Sequence, residues 1–349
     1  MKIAFTSCAN FQDYSSQPGW KRIQALAPDV LLLLGDQIYM DFGLPALGGD
    51  LYAPSKFSLG EFAFRMYDRY RQQFAEAHFH ALLTTRKEMK VAAVWDDHDF
   101  AWNNACGGRC PELNPGEPET RMTEDGKLHK VSDWHKAVAR ALFMQFLGAV
   151  RDRDAAYPKP PFDFATLPEG LATTQQGIQE SFDLAAGTIR VVLLDTRYHR
   201  DCYLYPDARI MDEAQMSWLR EQLDGPQELT LICSGSTLTS AESWDDYPSS
   251  LDDLKRAAAG KRVLVLSGDI HQNDFRVHKN PHDKNLPLFE AIASGLAVKG
   301  LKPFVYLGDQ ENFGLLEIDD ARLRITLHRK SRKFDEHLIN RATWRAETA

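Results

Sequence analysis

VLLLLGDQIY, residues 30–39, is the stretch that decides the architecture of this chain. Its unbroken apolar run is bounded by Asp29 and Gly35, too short for a buried helix. It reads as a strand buried on both faces. The run stops at Gly35-Asp36, and Tyr39 follows. Five other runs behave in the same way. Residues 3–5 lead into Thr6-Ser7-Cys8, and 91–95 into Asp96-Asp97-His98-Asp99. Residues 191–194 lead into Asp195-Thr196-Arg197, 229–233 into Ser234-Gly235-Ser236-Thr237, and 263–266 into Ser267-Gly268-Asp269-Ile270-His271. In layered α/β proteins ligands sit at the carboxyl ends of such strands. Six strands would therefore aim a thiol, a phenol, carboxylates and an imidazole at one rim, the pattern of a metal-dependent enzyme.

A length of 349 residues suggests roughly two domains. The strand-end ligands nevertheless run from residue 8 to residue 271, so the expectation is one domain over residues 1–349. Loop insertions are expected at about 103–131 and 151–170, and substrate shaping is their expected role. A hydrophobic content of 44% is ample for a core, and a net charge of −8 argues against general nucleic-acid binding. Five cysteines, an odd number, do not suggest a disulfide framework. Cys106 and Cys110 flank a short glycine loop and read as incidental thiols, a pair or metal ligands. No run approaches a membrane span. Met1-Lys2 leads straight into the first strand, so a cytoplasmic location is expected.

Helices are expected at 19–27, 59–84, 133–147, 212–223 and 250–259, the last three opening on an Asp or Ser cap. The aromatic series in 59–84 reads as a core stripe. Residues 286–293, 314–318 and 323–327 read as further strands, the last two joined in a hairpin around Asp319-Asp320. The charged tail, 328–349, is expected to dock as a helix or fray. Strands from both halves with late antiparallel additions favour a two-sheet sandwich with outer helices.

Each candidate residue also has a structural reading. Cys8 alone reads as a small buried hydrophobe, Asp36 as a turn former, Tyr39 as core and His98 as a structural hydrogen-bonder. Asp269 and His271, two apart, can converge on one ion, yet such short matches arise by chance. The joint pattern is the stronger signal, because unrelated structural roles would not place all of them at successive strand ends.

The chain resembles the PhoD-type alkaline phosphatases and phosphodiesterases, a branch of the calcineurin-like metallophosphoesterase superfamily. The resemblance rests on Ser7-Cys8, GDQIY at 35–39, WDDHD at 95–99, LDTR at 194–197, EAQMSWL at 213–219, SGDIH at 267–271 and NFGLLEI at 312–318. These segments follow the family's order. It implies a four-layer αββα sandwich of two mixed sheets. It also implies that Cys8, Asp36, Tyr39 and His271 hold one ion, and that Asp36 bridges to a second site completed by Asp97 and Asp269. A thiolate, a phenolate and a carboxylate suit Fe³⁺, and the hard carboxylate oxygens suit Ca²⁺; Zn²⁺, Mn²⁺ and Mg²⁺ remain alternatives.

The expected activity is hydrolysis of small phosphate diesters, with monoesters as a second class, by attack of a metal-bound hydroxide. Its alternatives are monoester or triester hydrolysis on the same centre, or a non-catalytic scaffold. His98, oriented by Asp99, is the expected general acid. Arg197 reads either as a phosphate clamp or as the partner of Asp195 or another neighbour. Asn103 reads as a phosphate or metal contact or as a loop residue, and Trp244 as a wall of the substrate cleft or as packing. Exported relatives carry a leader and an extra N-terminal β-domain, and neither is expected to carry over to this chain.

Overall fold

The computed structural model describes residues 1–349 apart from 42–53, 55–56, 111–130, 154–155, 174–175, 241, 299–310, 331 and 348–349. Most of the 103–131 insertion therefore lies outside the described residues. In chain order the first half runs β1 (Lys2–Ala9), α1 (Gly19–Ala25), β2 (Val30–Leu34), α2 (Leu59–Phe74), α3 (Ala77–Thr85), β3 (Lys90–Val94), α4 (Asp97–Phe100), α5 (Asp133–Asp152), β4 (Glu180–Leu184) and β5 (Ile189–Leu193). The second half runs α6 (Glu213–Leu223), β6 (Leu229–Ser234), α7 (Pro248–Ala257), β7 (Val263–Ser267), β8 (Asn273–Asn280), β9 (Asp283–Ala297), β10 (Phe313–Ile318), β11 (Arg322–Arg329), β12 (Arg332–Asn340) and β13 (Arg345–Glu347).

The strands form two sheets, β3-β2-β1-β10-β11-β12-β13 and β4-β5-β6-β7-β9-β8, joined where the end of β1 pairs with β9 at Ser7↔Ser294 and Ala9↔Ala297. All six strands anticipated from the apolar runs point the same way. β1, β2 and β3 are mutually parallel, β5, β6, β7 and β9 are too, and β1 is parallel to β9. Their carboxyl ends consequently share one edge.

Alternation along the strands separates the layers. In β5, Val191 and Leu193 join the main core with Leu31, Leu33 and Phe5, whereas Val192 joins a second core with Met216 and Leu219 of α6 and Leu254 of α7. β7 divides in the same way, with Leu264 and Leu266 to one side and Val263 and Val265 to the other. Helices α2, α3 and α5 bury Phe62, Phe79 and Phe143 on the first sheet. The result is the expected four-layer αββα sandwich.

Three elements differ from the sequence expectation. The helix expected over 59–84 is two helices, because the buried Glu76 carboxylate accepts the Phe79 N–H at 2.7 Å and the Gln17 N–H at 3.0 Å, starting α3 afresh. Ser250 is not a cap: α7 begins at Pro248, and the Ser250 hydroxyl instead accepts the Ile210 N–H at 3.3 Å. The tail forms β12 and β13 by antiparallel pairing, with Trp344 fully buried and its indole N–H donating to Pro287 O at 3.0 Å. Charged edge strands of this kind avoid further pairing, and that same charge hides them from an apolar-run search. Among the described residues no helix is long and apolar enough to cross a membrane.

Candidate metal centre

The strand ends turn sharply enough that several side chains are delivered from strained backbone. Cys8, Asp36, Asn104, Asp269 and His271 all have positive φ, between 54° and 73°. Such conformations cost about 1–3 kcal/mol each and persist only where the surroundings enforce them. Here the bonds Cys8 N→Gly35 O (3.2 Å), Ala9 N→Asp36 O (2.8 Å), Gly268 N→Gly235 O (3.2 Å) and His271 N→Ser294 Oγ (2.9 Å) lock the strand ends to one another. Gly35, at φ 96°, is required, since a Cβ there would lie 2.6 Å from Asp96 Cβ.

Asp36 is the hub. Its Oδ2 accepts from the Cys8 thiol and from the Tyr39 hydroxyl, both at 3.3 Å, and the Tyr39 oxygen lies 3.1 Å from His271 Nε2. Ligand atoms of Cys8, Asp36 and His271 all fall within 4.8 Å of one another, and so do those of Asp36, Asp97 and His98. Two potential ion sites thus share one carboxylate. The Asp269 carboxylate lies outside both groups, although its charge is felt with those of Asp96 and Asp97.

Burial shapes the electrostatics. It pushes the Cys8 thiol up to about 11 and raises Tyr39 well above its ordinary range, Cys8 and Asp36 adding to the effect on Tyr39. Asp36 is raised by burial and by Cys8, Asp269 by burial and by Asp96. Burial, with His98 nearby, lowers His271 to about 4. Burial also opposes ionisation of Asp97, but His98, Arg197 and the Asn104 N–H overcome it and hold Asp97 below the usual carboxylate range. Protons therefore stand between donors that a cation would bridge. A thiol, a phenol, an imidazole and a shared carboxylate converge with little positive charge to balance them, and this donor set fits a bound metal. His271 and Asp269 are only half-buried and mark the open side.

Beside the cluster, His98 Nδ1 lies 2.6 Å from Asp41 Oδ1, and the imidazole stacks on Tyr39 at 4.3 Å between ring centroids. Burial disfavours the imidazolium, yet Asp41, Asp97 and Asp36 outweigh it and lift His98 to about 10. The partner expected for His98 was Asp99. Its carboxylate instead accepts the backbone N–H groups of Asp96 (2.6 Å) and Gln37 (3.2 Å), bracing the start of α4, and burial pushes it up to about 8.

Arg197 is buried and takes the neighbour reading, with Asp96 rather than Asp195. Its Nε donates to Asp96 Oδ1 at 2.5 Å, its Nη2 lies 3.8 Å from Asp97 Oδ1, and Nη1 has no hydrogen-bond partner among the described residues. Asp195 serves Trp95 Nε1 at 2.9 Å and the Ile178, Arg197 and Tyr198 N–H groups. Trp244 does not wall a cleft. It is fully buried in the second core, its indole N–H donating to Ser234 Oγ at 3.2 Å. The Asn103 N–H donates to Asp41 Oδ2 at 2.8 Å, while the Asn104 N–H reaches Asp97 Oδ2 at 2.6 Å.

Sequence reasoning missed Asp41, Asn104, Arg200 and Glu242, and gave Ser236 no role beyond its place in the 234–237 strand end. Ser236 Oγ is shared by Arg197 and Arg200, Arg200 also holds Tyr247 OH and Glu242 O, and the Glu242 carboxylate meets the Asn104 side chain. Asp41, two residues beyond Tyr39, carried a usable signal, the second acid of a GDQIYMD run. The others lie in loops whose path has no periodicity to read.

The two-sheet sandwich carries a shared-carboxylate donor cluster on its parallel strand ends. The family model described as PhoD-like phosphatase matches residues 3–312, so the chain belongs to that family and is a hydrolase of phosphoric ester bonds. The solved structure of PhoD superposes with a TM-score of 0.65 at 16% identity, covering 100% of this chain and 72% of that one, a likeness of fold. GAP50, the anchor in the inner membrane complex of Plasmodium, gives 0.46 at 11% identity, covering 97% and 89%. No curated protein matches the chain in sequence.

Proposed function

We propose that this phosphoesterase hydrolyses phosphate diesters, with monoesters as slower substrates, and that it holds Fe³⁺ at Cys8, Asp36, Tyr39 and His271. A divalent ion, Ca²⁺ by preference over Mg²⁺ or Mn²⁺, is assigned to Asp36, Asp97 and Asp269. The observation that supports this most is the convergence of Cys8 and His271 on Asp36 on one side and of Asp97 on the other, with His98 of that second group paired to Asp41. When bound, the ions supply Lewis acidity that activates water and neutralises phosphate oxygens.

The protein's own groups do the rest. Asp41 fixes Nδ1 of His98, so Nε2 is the nitrogen that presents a proton to the departing oxygen. Arg197 balances Asp96 and Asp97, and its remaining Nη1 is a donor for a phosphate oxygen. Asp99 keeps the 96–99 turn in register with Gln37.

The test is elemental analysis of unchelated protein, with bis(p-nitrophenyl) phosphate and p-nitrophenyl phosphate turnover measured on the same sample. Bound iron with a divalent ion, and faster diester than monoester hydrolysis, are expected. Cys8→Ser should lower both iron content and turnover. A protein still metal-free and inactive after reconstitution with these ions would overturn the reading.

A further inference from the structure

Cys8 and Tyr39 form a small buried cluster with Val298, just beyond the end of β9. Val298 also lines a cavity of about 220 Å³, together with Tyr14, Ser16, Gln17, Pro18, Leu296, Ala297 and Glu311. One residue thus borders both the metal donors and a hollow beside the strand ends. Hydrogen bonds hold part of its wall. The Asn10 N–H donates to Ala297 O at 2.8 Å, the Tyr14 N–H to Asn10 O at 2.9 Å, and Gln17 is held by Trp20 Nε1 at 2.6 Å and by Gln73 at 3.0 Å.

Its chemistry is that of a subsite. Whole-ligand pockets run to about 300–1,000 Å³, so a hollow of about 220 Å³ takes one ring-sized group rather than a complete substrate. Leu296, Ala297, Val298, Pro18 and the Tyr14 ring provide apolar surface, beside the polar Ser16 and Gln17. Among the described lining residues the one carboxylate, Glu311, is already matched by Arg22 Nη1 at 3.2 Å. An uncharged occupant leaves that pair intact, and an anionic one meets Glu311.

We propose that this cavity receives an organic substituent of the phosphate ester, and that the substituent is an uncharged, ring-sized apolar group. The proposal rests on the phosphoester reading of the metal centre. It makes the turn at residues 14–18 and the end of β9 the determinants of which esters are accepted.

The test uses phosphonates, whose P–C bond is not hydrolysed, binding to the metal-loaded protein in a calorimeter. Phenylphosphonate should bind about tenfold more tightly than methylphosphonate, about 1.4 kcal/mol. Ser16→Trp, at the exposed mouth of the cavity, should remove most of that preference while methylphosphonate binding stays as in the wild type. 4-Carboxyphenylphosphonate should lack the preference and regain it in Glu311→Gln. Equal binding of phenyl- and methylphosphonate by the wild type, or a phenyl preference untouched by Ser16→Trp, overturns the subsite alone. Failure of both phosphonates to bind overturns the phosphoester reading and the subsite with it.

Discussion

At the scale of the residue, the chemistry is concentrated in the pairing of His98 with Asp41 rather than Asp99. An imidazole flanked by three carboxylates stays protonated well above neutrality, and Asp41 is the first of its charged causes. Asp41→Asn removes that charge. In metal-free protein the His98 ring, followed by NMR, should titrate near 10 in the wild type and move down toward its ordinary value in the variant. In loaded enzyme the same change should lower kcat by about 10–10²-fold, within the range for general acid–base groups, with metal content retained. Asp41→Glu should recover part of the loss. A wild-type titration and rate in Asp41→Asn would make Asp41 structural only. The sequence displayed Cys8, Asp36, Tyr39, Asp97 and His271 because each follows an apolar run at a strand end. It did not display the partner of His98, because Asp99 is its neighbour in sequence whereas Asp41 stands 57 positions away and is brought to the ring only by the path of the chain after Tyr39.

Among the elements, the parallel strands were legible and the edges were not. β2 and β7 carry unbroken apolar runs because both of their faces are covered. β8 and β12 lie largely open and carry no apolar run, so β8 went unassigned and β12 fell in the tail expected to dock as a helix or fray. Helix α5 was visible in its apolar stripe, and its first turn makes a testable pH sensor. The Ser132 side chain caps the helix, its Oγ also lies 2.6 Å from His135 Nδ1, and the ring sits edge-on to Phe62 at 4.8 Å. Burial holds His135 at about 4. A base with a depressed folded pKa stabilises fully above its unfolded value of about 6.5, and that contribution drains away as pH falls from there toward 4. Melting temperature should therefore decline over this interval, and more shallowly in His135→Gln. Parallel slopes for the two proteins would assign the acid sensitivity elsewhere.

For the whole molecule, β1 ties the sheets together, pairing with β2 and β10 inside the first and, at its end, with β9 of the second. Its loss would divide the first sheet and undo the junction, so thermal unfolding followed by tryptophan fluorescence and by circular dichroism should give one coincident transition. Chelation should move that transition down by several degrees, since bound ions stabilise by mass action and their removal leaves a buried carboxylate cluster without cations. Two separated transitions, or one indifferent to chelator, would contradict this account. The shared strand has a further consequence in time. Cys8 leaves the ribosome 261 residues ahead of Asp269, whose carbonyl it meets. At about 5–20 residues per second, the thiol waits on the order of ten seconds or more for its neighbours. The cluster around Cys8 thus belongs to the finished chain rather than the growing one, and until Asp269 and His271 emerge the thiol stands without them.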